Sequence, residues 1–134
     1  MKVVVVEDDE DLCIELVDYL RRRYREVVAC DTVSAARDVL REMVAKPEPL
    51  AGIVCEMTLP DGNGIDLHSE FAAELGTGRW LLMCNFTDGF RPYEPVPNVP
   101  RPLFLDKPFS LDDLDELLVD TWPVINPLGY CSRG

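Results

Sequence analysis

Histidine is nearly missing from this chain, with His68 the one example in 134 residues. A catalytic pair built on imidazole needs partners the sequence does not hold, and no phosphotransfer histidine is proposed. His68 falls on what reads as the polar side of a helix and is expected at the surface. Basic residues are scarce too: 13 Lys and Arg stand against 25 Asp and Glu, a formal net charge of −12. A phosphate backbone calls for a basic face, so direct nucleic-acid binding is excluded. The one dense basic run, Arg21-Arg22-Arg23 with Arg25 beyond, ends a predicted helix, where cations complement the helix dipole.

Long apolar runs are also absent. Nothing approaches the roughly 18 residues of a membrane-spanning helix, and Met1-Lys2 leads straight into a strand with no signal-peptide pattern. The five cysteines, Cys13, Cys30, Cys55, Cys84 and Cys131, fit no metal or redox spacing. Cys30, Cys55 and Cys84 lie in predicted strands and read as small buried apolar residues. The simplest setting is a reduced cytoplasm. The acidity leaves basic partner surfaces and divalent cations as candidate partners.

What is present is a regular alternation. Lys2 to Val6 is a continuous β-branched run, suited to a strand buried on both faces. Leu12, Leu16, Tyr19 and Leu20 then recur at helical spacing. Val27 to Cys30 reads as a second strand, followed by an N-cap at Ser34 and a stripe of Ala35, Ala36, Val39, Leu40 and Met43. Ile53 to Glu56 is a third strand, Pro60 to Gly64 a turn-rich loop, and Ile65, Leu67, Phe71, Ala72 and Leu75 a third helical face. Trp80 to Cys84 and Leu103 to Leu105 are the last strands. Ser110-Leu111-Asp112-Asp113 forms a capping box, with Asp where Glu is usual, for a helix ending near Thr121. Strands and helices alternating at this length predict a parallel sheet with helices on both faces. Where the fourth helix belongs, Pro92, Pro95, Pro97, Pro100 and Pro102 intervene. Each costs about 3 kcal/mol inside a helix, so the stretch from Phe86 to Pro102 is expected to be irregular or polyproline-like.

In such sheets ligands bind beyond the carboxyl ends of the strands. Glu7, Asp8, Glu56, Asn85 and Lys107 all fall at predicted strand ends. Carboxylates and a lysine gathered on one edge make a site suited to a metal and a phosphoryl group. Asp9, Glu10 and Asp11 read instead as acids favoured at a helix N-terminus.

Three segments in order carry a resemblance: Val3 to Glu10, Leu59-Pro60-Asp61-Gly62-Asn63-Gly64, and Asp106-Lys107-Pro108-Phe109-Ser110. Over residues 1–121 the chain resembles the receiver domain of two-component response regulators, with 122–134 as a C-terminal tail bearing Trp122, Tyr130 and Cys131. The resemblance implies a flavodoxin-like (βα)5 three-layer sandwich around a five-stranded parallel sheet. It implies that a histidine kinase phosphorylates a carboxylate at the end of the third strand with help from Mg2+. Glu7 and Asp8 match the metal-holding acid pair, and Lys107 the lysine that contacts the phosphoryl group. Phe104 matches a switch aromatic and Asn85 the Thr/Ser switch position, with Thr87 as a substitute if the strand end shifts. Glu56 stands at the phosphoacceptor position, where typical members carry Asp.

These departures matter. Phosphoryl transfer rests on positioning and charge stabilisation, and a misplacement on the order of 1 Å can cost about 100-fold in rate. The longer Glu56 arm reaches into the space for metal or phosphoryl group and toward Lys107. Asn85 replaces a rotatable hydroxyl. Glu7, Asp8 and Glu56 are thus the candidate Mg2+ ligands, with Glu56 arguing against a well-held ion. The expectation is an atypical receiver, not an enzyme, that works independently of phosphorylation through protein contacts. Its partner would be a histidine kinase, a phosphotransferase or an output protein, with a homodimer left open. The alternative is a working phosphoacceptor using Glu56 or a neighbour such as Asp61. A weaker alternative is a small phosphate-ester hydrolase, against which Thr58 stands where the commonest such enzymes carry a second acid.

Overall fold

Apolar runs of β-branched and aliphatic residues become the strands of a single parallel sheet. The computed structural model describes residues 1–75, 79–85 and 99–119. Its elements are β1 (Lys2–Val6), α1 (Glu10–Arg21), β2 (Glu26–Cys30), α2 (Val33–Ala45), β3 (Leu50–Glu56), β4 (Thr58–Leu59), β5 (Gly62–Asn63), α3 (Gly64–Phe71), β6 (Arg79–Cys84), β7 (Leu103–Asp106) and α4 (Leu111–Val119). The five long strands pair in the order β2-β1-β3-β6-β7, every neighbouring pair parallel. The chain winds outward from β1 in one direction and then returns to add β3 on its other side. The order therefore reverses between β1 and β3, the place where a parallel sheet opens a crevice at its carboxyl edge.

Burial on both sides accounts for the strand composition. Val3 and Val5 face a cluster with Leu16, Leu20, Val54, Leu81, Leu114 and Leu118, beneath α1 and α4. Val4 and Val6 face the opposite way, toward Ala36, Leu40, Ile53, Leu67, Phe71 and Trp80 beneath α2 and α3. A two-sided core of this kind removes the polar half of the period-two pattern. Cys30, Cys55 and Cys84 are buried within it as small apolar residues. Among the described residues no helix is long and apolar enough to cross a membrane.

The structure departs from the sequence reading in three places. The stretch after β3 is a two-stranded antiparallel hairpin of β4 and β5, not a plain loop. The N-cap of α2 is Thr32, whose hydroxyl accepts from the Ala35 N–H at 3.0 Å, rather than Ser34. The helix starts early because Asp61 reaches across from the hairpin. Its carboxylate accepts from Val33 N–H at 2.7 Å and Ser34 N–H at 3.0 Å, satisfying first-turn donors the helix leaves open. His68 is 1% exposed, not at the surface. It shares the buried side of α3 with Ile65, in line with Ala72 and Leu75 in the turns that follow, and its ring meets Trp80 edge-on at 5.2 Å.

The capping box at α4 is present, with Asp113 N–H donating to Ser110 Oγ at 3.0 Å and Ser110 N–H to Asp113 Oδ2 at 3.4 Å. Residues 99–102 carry neither helix nor strand. The rest of the proline-rich stretch, with Pro92, Pro95, Pro97 and Thr87, lies outside the described residues, as do Trp122, Tyr130 and Cys131.

Candidate functional site

Three strand ends deliver the site. Glu7 follows β1, and its N–H donates to the Cys30 carbonyl at 2.9 Å, which carries the pairing with β2 one residue further. Asp9 then caps α1 by accepting from the Leu12 N–H at 3.1 Å. Glu56 ends β3, held by Met57 N–H donating to the Met83 carbonyl at 2.8 Å. Lys107 follows β7, its N–H donating to the Cys84 carbonyl at 2.8 Å, and the Lys107–Pro108 peptide is cis.

The three side chains converge. Lys107 Nζ donates to Glu7 Oε1 at 3.2 Å and ion-pairs with Glu56 Oε2. Glu7 Oε2 accepts from the Asp8 and Asp9 N–H groups at 3.0 and 3.4 Å. The Glu7 side chain is 1% exposed, that of Glu56 12% and that of Lys107 27%. Burial and the charge of Glu56 push the Glu7 carboxyl up to about 7, against the opposing pull of Lys107 and the Asp9 N–H. Burial works against the Lys107 ammonium. Its contacts with Glu56 and Glu7 outweigh that and hold its pKa above the ordinary lysine value. One ammonium thus serves two carboxylates in a mostly dry setting, a strong reason for all three to stay together.

Asp8 is exposed, and its contact with this group is through its backbone N–H. Asn85, at the end of β6, is exposed and shares a cleft of about 320 Å³ with Lys107, Leu12, Glu15 and Phe109. Phe104 is half-buried and packs on the cluster beneath α2 and α3. The structure therefore joins Glu7, Glu56 and Lys107 directly, and sets Asn85 beside the lysine. Asp61, weighed as a substitute acceptor, spends its carboxylate on the N-terminus of α2. Those two N–H donors hold its pKa below the ordinary value. Thr58 is an exposed residue of the hairpin.

Among the described residues no three His, Cys, Asp or Glu side chains come close enough together to hold a metal. Mg2+ demands near-octahedral oxygen ligands at about 2.1 Å. Here Glu7 and Glu56 each turn an oxygen to the ammonium, and the other Glu7 oxygen is taken by backbone N–H groups. This donor set does not fit Mg2+ as it stands. The sequence carried no signal for the backbone contacts of Glu7, since they depend on the turn at Asp8 and Asp9.

No family model matches the sequence, and no curated protein does. The fold has clear counterparts among solved structures. The receiver domain of the hybrid histidine kinase CckA superposes with a TM-score of 0.70 at 20% identity, over 90% of this chain and 98% of that one. The non-phosphorylated HemR receiver domain from Leptospira biflexa gives 0.66 at 23%, over 94% and 97%. The N-terminal domain of NsrR, a lantibiotic response regulator of nisin resistance, gives 0.62 at 26%, over 88% and 94%. The chain has the flavodoxin-like fold of response-regulator receiver domains.

Proposed function

We propose that this chain is a receiver module of two-component signalling that acts by docking to a protein partner without being switched by phosphorylation. The observation that carries this reading is the ion-paired group Glu7–Lys107–Glu56. A phosphoryl group arriving at a typical site needs a carboxylate oxygen free to attack, a metal, and a lysine turned to the phosphoryl oxygens. Here the acceptor-position carboxylate already holds the lysine. The metal-side glutamate shares the same ammonium, with its second oxygen bonded to backbone. The arrangement resembles a standing negative charge where phosphate would sit. The receiver fold supports a histidine kinase, a phosphotransferase or an output protein as the partner class. Among the described residues the cysteines at positions 13, 30, 55 and 84 are free thiols, which suits a reducing cytoplasm.

The test is a titration with Mg2+ and beryllofluoride, followed by amide chemical shifts, on the native chain and on a Glu56→Asp, Asn85→Thr double variant. The native chain is expected to show no Mg2+-dependent change at Glu56 or Lys107, and the variant to gain one. Saturable binding by the native chain would instead support a working phosphoacceptor.

A further inference from the structure

Among the described residues the sheet order ends at β7, and this four-residue strand takes its ladder from β6. An edge strand so short is held weakly by its own ladder, yet its end carries Lys107. The residues leading into it, 99–102, include Pro100 and Pro102 and have no regular structure. Prolines offer no N–H, so a neighbour can hold them in place through a hydrogen bond only at a carbonyl. The Pro100 carbonyl is so engaged, its oxygen 2.9 Å from His68 Nε2. A carbonyl can only accept, so Nε2 carries the proton. The imidazole is 1% exposed, wedged between this segment and the Trp80 ring of β6, at an interplanar angle of 89°. Burial pushes its pKa below the ordinary histidine value, the Pro100 contact opposing, which keeps it neutral at neutral pH.

The same helix supports the other half of the ion pair. Gly64, the first residue of α3, sits so near the end of β3 that a Cβ there would lie 2.8 Å from the Glu56 carbonyl oxygen. Within little more than one helical turn, α3 touches the backbone that bears Glu56 and the backbone that leads to Lys107.

We propose that His68 is a positioning residue: through Pro100 it registers the edge strand β7, and with it Lys107, against α3 and therefore against Glu56. The role stands whether or not the site takes a phosphoryl group. A polar side chain on the buried stripe of α3 is there to meet the carbonyl.

The test is amide hydrogen exchange by NMR on the full chain and on His68→Phe and His68→Gln. Phe keeps a ring against Trp80 and loses the donor, whereas Gln keeps an N–H near the Nε2 position. In His68→Phe the protected amides of residues 103–107 should exchange about tenfold faster, over and above any change in residues 3–6. His68→Gln should return them to within about threefold of the native chain. Equal changes in both strands, or no loss of protection in β7, would overturn the proposal. A second reading needs no variant: ring 15N spectra of the native chain should show the Nε2–H tautomer with a slowly exchanging proton. The Nδ1–H tautomer would overturn the proposal even if the variants fail to fold.

Discussion

Lys107 is the residue whose loss should be felt most, because it is the cation shared by Glu7 and Glu56. Lys107→Met leaves two carboxylates facing one another in a largely dry setting, and breaking such a pair is costly. We expect a loss of roughly 2–3 kcal/mol in urea unfolding at pH 8. The loss should be smaller at pH 5, where Glu7 takes up a proton. An equal loss at both pH values would contradict the shared-ammonium geometry. Glu7 gives a second test. Its folded pKa of about 7 lies above the ordinary 4.5. Its stabilising contribution is therefore complete below about 4.5 and is lost as pH rises toward 7. Glu7→Gln removes that dependence. The stability of the native chain minus that of the variant should fall with rising pH across this window. His68 works with the opposite sign: its pKa is lowered from 6.5, so neutral His68 stabilises above that value and the effect fades as pH falls. Glu7, Glu56 and Lys107 could be placed on one sheet edge from sequence because each follows an apolar run. Their joint ion pair could be anticipated for Glu56, whose extra methylene extends its reach. The Glu7 contact with the Asp8 and Asp9 N–H groups could not, since it is made by the backbone of a turn.

At the scale of elements, caps were legible where both partners are local and hidden where one is distant. The Ser110–Asp113 box is written within four residues and forms as read. The start of α2 depends on Asp61, 28 residues from the N–H it binds, and no local pattern announces it. We expect Thr32→Ala to cost about 1 kcal/mol in denaturant unfolding, while Ser34→Ala stays within about 0.5 kcal/mol. The reverse order would restore Ser34 as the cap. Asp61→Ala should lower the thermal midpoint and speed amide exchange at Val33 and Ser34. The burial of His68 is masked by its polarity, although the steps from Ile65 to His68, Ala72 and Leu75 are helical.

For the whole molecule, the fold was readable because strand runs buried on both sides leave few alternatives to a parallel sheet. The strands pair in parallel in the order β2-β1-β3-β6-β7, with β1 where the direction of winding reverses. Among the described residues the hairpin of β4 and β5 is the added element, formed where Pro60 and Asp61 make a two-residue turn. What the fold then provides is an edge on which a carboxylate, a second carboxylate and a lysine meet in one ion-paired group. The most direct measurement is intact mass, with a phosphate-affinity gel, after the native chain is incubated with acetyl phosphate and Mg2+ or with a phosphorylated histidine kinase. No phosphoryl adduct is expected at any time point. A stoichiometric adduct on Glu56, lost on Glu56→Gln, would show that the ion pair opens to chemistry and would contradict a switch-free receiver.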